Sequence, residues 1–551
     1  MKTSQKWDGT SNCDSAFVAA GYPDTTFGRN GSNAEGSLYV GYEESFTSEA
    51  DRGAVRSFLK CNLPQLGVAD KVVDAKLYLY LNASSTSNCV NIFKVTGAWQ
   101  SNTISWENQP TVDDYLKIDY LKMVLWQEDE WKIWETTDLV RGSYSGDIAN
   151  YGIMLKADSE ADGAGRAWFF SDYYTTAAAV RPFIVISYRN MSGYEDYYSY
   201  TNLSSGNGGV ASVNNYNGNF VYSQYLTEDC GGEIMPVNVS LVYNSNKAHL
   251  NYANLGNGVQ TNYSLFIKPN PNIKTDSIEE EKKYKYYLND ADGTEHYFYF
   301  ENLNGATGKD EDGLGYELWV NPESNTPADE NQRFHWVKYR ITDKDKNIME
   351  FNRYGLLIRI KSSIGKEITV QHEDSVNSEM PRIKYIYDGV GRVYTFNYTG
   401  DNRISEIIDP AGRATKLSYV NAFLYEITFP DGERVSYGHN GGQWTYIQSE
   451  SGNTEITYDN SGQKRVSLIK TVFDGTVAES YSFKYLQNET VVTDHANRDY
   501  TYQFNDYGQT TGIVSDNSGQ AQFFSFAPGN STSANANKLN TSSKIQTSTV
   551  N

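Results

Sequence analysis

Catalysis in a chain of 551 residues would be sought first at its histidines, and there are only six: His249, His296, His335, His372, His439 and His495. None precedes His249, so the first third of the chain has no imidazole base and no imidazole metal ligand. No two stand at H-E-x-x-H or a comparable ligand spacing, and each reads as a structural or solvated side chain. The nucleophile elbow G-x-S-x-G and the phosphate-cradling P-loop are absent, and no G-x-G-x-x-G falls between a strand and a helix. Carboxylates are numerous enough for a glycosidase-type acid pair, but they sit in turns beside Gly or Asn and no pair stands apart. The expectation is no catalytic, cofactor-binding or metal-ligating residue, with the ligand-binding residues unassigned.

Three acidic clusters are candidates for calcium. Asp343-Lys344-Asp345-Lys346-Asn347 matches the first three ligand positions of an EF-hand loop, but Ile348 replaces the required Gly and Tyr354 the closing Glu. Asn289-Asp290-Ala291-Asp292-Gly293 and Asp310-Glu311-Asp312-Gly313 are compact oxygen sets that serve equally well as hairpin turns. No cofactor is expected, with calcium the secondary alternative. Trp99, Trp106, Trp131, Trp134 and Trp168 are candidates for a sugar-stacking platform, yet period-two strands hide which of them are displayed and which are core.

The elements that would hold these residues are strands. The chain carries 44 Tyr, 23 Phe and 10 Trp but only 21% charged residues, and Gly, Asn and Asp punctuate short apolar runs. That profile suits half-buried strands rather than helices, and it excludes a coiled coil or a charge-rich disordered polymer. Leu77-Tyr78-Leu79-Tyr80-Leu81, Asn91-Ile92-Phe93-Lys94-Val95 and Phe183-Ile184-Val185-Ile186-Ser187-Tyr188 read as strands, and Asn217-Gly218 as a hairpin turn. The fold class is all-β. The net charge of −21, with Lys and Arg scattered singly, argues against a nucleic-acid partner. No run is long and apolar enough for a membrane span. The Glu279-Glu280-Glu281-Lys282-Lys283 run reads as a solvated face or edge guard.

Glycines recur at Gly391, Gly412, Gly432 and Gly452, about 20 residues apart, each followed five to seven residues later by Tyr398, Tyr419, Tyr437 or Tyr458. A fixed period of this length marks a repeat architecture: a turn Gly, then a strand whose tyrosine packs on its neighbour. Cys13, Cys61, Cys89 and Cys230 are too sparse for a disulfide scaffold and wrongly spaced for zinc; pairing and free thiols stay equally open.

Residues 1–190 contain Arg56-Ser57-Phe58-Leu59-Lys60-Cys61-Asn62-Leu63-Pro64, then Trp99, Thr103-Ile104-Ser105-Trp106-Glu107-Asn108-Gln109-Pro110, Asn150-Tyr151-Gly152-Ile153-Met154-Leu155 and Arg181-Pro182. This series resembles the DNRLRE domain, a jelly-roll-like relative of carbohydrate-binding modules, although Cys61-Asn62 stands where that family has Phe-Asp. The Tyr- and Asn-rich segment 191–250 resembles the entry region of Rhs (YD-repeat) wall-associated proteins. Tyr387-Asp388 with Gly391-Arg392, Tyr458-Asp459 with Gly462-Gln463, and Asn505-Asp506-Tyr507-Gly508-Gln509 resemble YD repeats, giving a repeat region over 251–525. Residues 526–551, polar and poor in apolar side chains, are expected to be disordered or the start of a truncated element.

The resemblance implies a jelly-roll-like β-sandwich followed by an antiparallel β-hairpin sheet, in a non-catalytic bacterial surface or secreted protein. It also implies a scaffold or shell for a C-terminal toxin or effector that this chain lacks. Implied partners are cell-wall or extracellular polysaccharide, and the implied location is extracellular or wall-associated, although Met1-Lys2-Thr3-Ser4-Gln5-Lys6-Trp7-Asp8 shows no apolar signal-peptide core. Asp409-Pro410-Ala411-Gly412 matches one of the two Asp-Pro-x-Gly elements that frame self-cleavage in Rhs cores, but Phe429-Pro430-Asp431-Gly432 departs from the second, so self-cleavage is not expected. A glycan-binding adhesin and a polysaccharide-degrading enzyme are the alternatives. A short repeat stack is also expected to leave an open strand edge.

Overall fold

The computed structural model describes all residues except 1–3, 9–12, 30–35, 45–51, 65, 67–69, 146–147, 196–197, 229, 231–233, 252–253, 272, 274–281, 312–313, 324–333, 375–379, 461–462, 487, 506–507, 516–517, 527–539 and 548–551. The Glu279-Glu280-Glu281 run, Asp312-Gly313, Gly462 and Asp506-Tyr507 therefore lie outside the described residues. The chain divides into two compact units, Met1–Leu66 with Lys71–Arg189, and Gly67–Asp70 with Asn190–Asn551.

The first unit is the expected β-sandwich, its strands linked in one hydrogen-bonded network of twelve. Strand Asp70–Ser84 shows why the sequence folds this way. Leu77, Leu79 and Leu81 are buried among Leu38, Val40, Trp134 and Phe169, while the intervening Tyr78 and Tyr80 lie half-buried on the opposite face. Strands Cys13–Ala19 and Gly53–Cys61 pair antiparallel with Cys13 opposite Cys61, and the two sulfurs form a disulfide. The departure from the DNRLRE pattern at Cys61 is thus one half of a cross-link, and Cys89 and Cys230 are free thiols. Closing 48 residues of chain, the disulfide should stabilise this unit by ~2–4 kcal/mol. Reduction is expected to lower its melting transition, which calorimetry with and without a thiol reductant measures. A short helix, Thr137–Ser145, buries Leu139 and Val140. Its two turns are too few to register as a 3.6-residue period in a strand-rich sequence.

In the second unit, strands Tyr200–Ser205, Gly209–Asn214, Phe220–Tyr225, Ser240–Asn244 and Val259–Thr261 form a five-stranded antiparallel sheet. Its second hairpin turns at Gly218 (φ 70°), where Asn214 Oδ1 accepts the Tyr216 and Asn217 amides. From Phe266–Pro269 to Asn540–Thr547, twenty-four strands follow in sequence order, each paired antiparallel with the next. The two sheets share one core that includes Leu203, Tyr222 and Tyr243 from the first, and Trp444, Ile447 and Val492 from the second.

The expected open edge is absent at the first strand of the long sheet. Ile267 N–H donates to Gly355 O at 2.8 Å and Leu357 N–H to Leu265 O at 3.3 Å, so a later turn covers that edge. A Cβ at Gly355 would lie 1.9 Å from Ile267 O, so only glycine permits this approach.

Candidate functional site

Two constellations stand out: an aromatic sheet face in the first unit and a ladder of carboxylate-closed turns in the second. In the first unit the outward residues of neighbouring strands are aromatic. Tyr78 stacks on Phe183 (centroids 4.6 Å, 9° between planes), and Trp131 packs edge-on against Phe183 at 4.9 Å and against Tyr80 at 5.1 Å. Tyr80 in turn contacts Phe170 at 6.0 Å, and Phe170 contacts Tyr174 at 4.2 Å. Register produces the row: Tyr80 lies opposite Trp131, and Tyr78 opposite Ile133, in the pairing of Asp70–Ser84 with Glu128–Glu135. Tyr78, Tyr80, Trp131 and Tyr174 are half-buried, and Phe170 and Phe183 form a buried floor.

A second group, Phe17, Phe27, Tyr39 and Trp168, carries two guanidinium groups. Arg166 lies over Tyr39 at 4.4 Å and Arg52 at 5.4 Å, and both pair with Glu43. Burial pulls the Arg166 guanidinium below its ordinary value.

The five tryptophans proposed as a platform therefore separate. Trp134 is fully buried core against Phe169. Trp99 is pinned by its Nε1–H to Tyr151 O at 2.8 Å beside Phe58, and Trp106 lies beneath Arg56 at 4.6 Å. Trp131 and Trp168 are the two on the aromatic face. Tyr78 and Tyr80, which complete that face, were passed over in sequence because their alternation with leucine read as one buried strand. Trp126, 76% exposed, sits beside Val124 and Leu125 in a tight turn.

In the second unit one turn geometry recurs. The side-chain oxygen of residue i accepts the amides of i+2 and i+4 at Asp343, Asn352, Asp388, Asp409 and Asp494. At Asp388, Asp409 and Asp494 the guanidinium of the i+4 arginine closes on the second carboxylate oxygen at 2.6–2.7 Å. The i+3 residue has positive φ, as at Gly412 (80°), which is why glycine marks the repeat. Burial of Asp388 works against its charge, but the Arg392 amide and guanidinium with the Val390 amide outweigh it and hold the carboxyl below its ordinary value. Tyrosine locks each strand to the one before: Tyr419 OH donates to Ile404 O at 2.7 Å, Tyr458 to Trp444 O at 3.0 Å and Tyr485 to Val466 O at 2.7 Å. Tyr398 makes the same bond to Ile383 O. The pairing register shifts at Tyr398, Tyr419 and Tyr458, a bulge that turns the ring.

Asp409, half of a candidate cleavage element, is thus occupied in closing a turn. Replacing Asp409 by Ala should cost ~1–3 kcal/mol by stranding two amides and a guanidinium. Asn at this position should retain most of the stability in denaturant titration, because its Oδ1 still accepts the amides.

The acidic clusters weighed for calcium face their own amides. Asp343 accepts from the Asp345 and Asn347 amides and from Asn347 Nδ2, each at 2.8 Å. Asp310 accepts from the Leu314 and Tyr316 amides at 2.8 and 2.7 Å. Among the described residues no group of three His, Cys, Asp or Glu is placed to hold a metal ion. A chelator is expected to leave both melting transitions unchanged in calorimetry.

His335 lies near enough to His372 to act on it, and His296 is the histidine that stands between carboxylates. His296, buried, lies 3.7 Å from Glu195 and 3.5 Å from Asp290. Asp292 beside them accepts from the Tyr194 amide at 2.7 Å and the Thr294 amide at 2.8 Å. Burial first, and the Asp290 charge second, push the Asp292 carboxyl up to about 6. This cluster fastens the start of the unit to the hairpin around Gly293, and sequence spacing could not reveal it because its members are about a hundred residues apart.

The comparison that bears on the aromatic face comes from protein families. Residues 8–180 match the family model described as Carbohydrate-binding module family 96. The match spans both aromatic groups except Phe183. No curated protein matches the chain. Among solved structures, the chain is similar to a Photorhabdus luminescens Tc holotoxin pore carrying a TccC3 substitution, at 9% identity and TM-score 0.22, over 62% of this chain and 19% of that one. It is also similar to TcdB2-TccC3 without its hypervariable C-terminal region, at 9% identity and TM-score 0.25, over 67% and 23%. A third likeness is to TcdB2-TccC3-TEV, at 9% identity and TM-score 0.25, over 88% and 24%. The chain spans less than a quarter of the length of those chains, and likenesses of this size carry no argument.

Proposed function

We propose that this chain is a non-catalytic, exported polysaccharide-binding protein whose N-terminal sandwich engages glycan while the hairpin repeats act as a rigid scaffold. The observation that carries the reading is the carbohydrate-binding-module match over residues 8–180, on a sandwich with a half-exposed aromatic face. The Cys13–Cys61 disulfide supports an oxidising, extracellular setting. The resemblance of 1–190 to DNRLRE domains agrees with the same role. The YD-like turns, closed by Asp388–Arg392, Asp409–Arg413 and Asp494–Arg498, support a relation to Rhs repeats and through it a scaffold for a C-terminal effector in contact-dependent competition.

The test is affinity electrophoresis of the full chain against neutral and acidic polysaccharides, with reducing-sugar release followed in parallel. Retardation without sugar release is the expected result. Release of oligosaccharide would favour the degrading-enzyme reading, and no retardation by any polymer would end the glycan reading.

A further inference from the structure

We propose that the turn Val124-Leu125-Trp126 of the first unit docks on an electrically neutral lipid surface, with the Trp126 indole as its anchor. The inference goes beyond the glycan reading and stands whether or not the sandwich binds a polysaccharide.

The turn joins strand Val112–Lys122 to strand Glu128–Glu135, and these two pair with different neighbours. The first pairs with Cys89–Val95 and the second with Asp70–Ser84, so the turn crosses between strand ends and belongs to no sheet face. Val124 is 56% exposed, Leu125 48% and Trp126 76%. Strands that alternate inward and outward residues do not place three apolar side chains in water consecutively, and such a run marks an interaction site.

The turn is also held firmly. Met123 is buried beneath it and its N–H donates to Asn88 O at 3.0 Å. Trp126 N–H donates to Ser84 O at 2.8 Å, and Gln127 N–H to Val124 O at 3.2 Å. Trp126 has a φ of 60°, a left-handed conformation that Gly or Asn adopts readily and a bulky residue does not. The chain therefore carries backbone strain at a position where it also displays an indole to water. Neither feature helps the sandwich fold, and strain of this kind collects at functional positions.

Area and charge select the occupant. At these exposures the three side chains offer at most about 400 Å² of apolar surface, half of the ~800 Å² that each partner gives to a stable protein interface. A lipid surface needs no matching patch, and tryptophan favours the boundary between hydrocarbon and headgroups. The sign of the headgroup follows from the neighbours. Glu128 and Asp129 follow the turn directly and are exposed. Segment 158–164 lies at the same end, through Asp158 N–H to Cys89 O at 3.0 Å and Asn88 Nδ2 to Ala164 O at 3.3 Å, and adds exposed Asp158 and Asp162. These carboxylates outweigh the exposed Lys122 beside the turn, so an anionic bilayer is repelled and a zwitterionic one is not.

The experiment sediments the full chain with vesicles of phosphatidylcholine, and with vesicles of phosphatidylcholine and phosphatidylglycerol in equal parts. Brominated acyl chains report tryptophan insertion by quenching its fluorescence. The variants are Trp126→Asn and Leu125→Ser, with Ile364→Ser, at an 84% exposed position of the second unit, as control. Trp126→Asn suits the left-handed backbone and should hold or raise the melting temperature of the first unit. Leu125→Ser keeps the indole and serves if Trp126→Asn disturbs the fold. The expected result is binding to phosphatidylcholine with quenching, weakened at least about tenfold in Trp126→Asn, weakened in Leu125→Ser and unchanged in Ile364→Ser. No binding to phosphatidylcholine, or binding indifferent to both turn variants, would overturn the proposal. Equal or tighter binding to the phosphatidylglycerol vesicles would overturn the neutral class. A dimer in sedimentation velocity that Trp126→Asn abolishes, without vesicle binding, would give the turn to a second copy of the chain and overturn the lipid surface.

Discussion

Trp444→Ala is expected to lower the stability of the second unit by ~3–5 kcal/mol, the range for truncating a large buried aromatic. Trp444 is fully buried where the two sheets of that unit meet. Its indole stacks on Tyr243 at 4.1 Å with 1° between planes and on Tyr437 at 4.1 Å with 25°, and Tyr222 closes the group at 5.8 Å. Its backbone N–H donates to Tyr243 Oη at 3.0 Å, so the side chain from one sheet is keyed to the strand of the other. Alanine would leave three rings without a partner, and tightly packed walls relax only partly into such a void. Trp444→Phe should cost distinctly less. It keeps a stacking ring and removes an indole Nε1–H that is buried with no hydrogen-bond partner among the described residues. Because the units are separately compact, denaturant titration should show the second unit's transition moving while the first holds. Coincident movement of both would contradict this account.

The second large effect is acid lability centred on His372. Burial, reinforced by the nearby His335 charge, pulls its imidazole down to about 3 from an ordinary value of 6.5. Its Nδ1 is buried without a partner among the described residues. The native state therefore holds the ring neutral, whereas the unfolded chain takes up a proton below pH 6.5. The stability this contributes is fully present above 6.5 and is lost as pH falls towards about 3, at ~1.4 kcal/mol for each pH unit between. Asp292 works the opposite way. Its raised carboxyl disfavours the fold when ionised, so acidification from about 6 towards its ordinary 3.8 relieves the second unit. Comparing wild type with His372→Leu cancels that contribution. Between pH 7 and pH 4 the wild type should lose stability faster than the variant, and parallel urea-midpoint profiles would show that His372 is not the source.

The repeat region was the most legible part of the sequence, because its turns are closed locally. Asp409, Gly412 and Arg413 satisfy one another within five residues, so composition and spacing alone carry the geometry. The tyrosines were legible as a period but not as hydrogen-bond donors: Tyr419 bonds to a carbonyl of the preceding strand, beside a bulge in its pairing with the next. In the first unit, strands were readable, yet the roles of Trp131 and Trp134 were not. They lie three residues apart, so the alternation of faces puts one on the aromatic row and the other in the core, and only the pairing shows which face is which.

By itself, the sequence determined an all-β chain, a hairpin repeat near 20 residues, and the absence of a recognisable catalytic motif, because each depends on neighbours along the chain. Only the tertiary structure decided that Cys13 meets Cys61, that His296 meets Glu195 and Asp290, and which aromatic side chains share a face. Apart from His296 with Asp290, those pairings join residues about fifty to a hundred positions apart. Their proximity depends on which strand lies beside which and in what register, and no local preference encodes that choice.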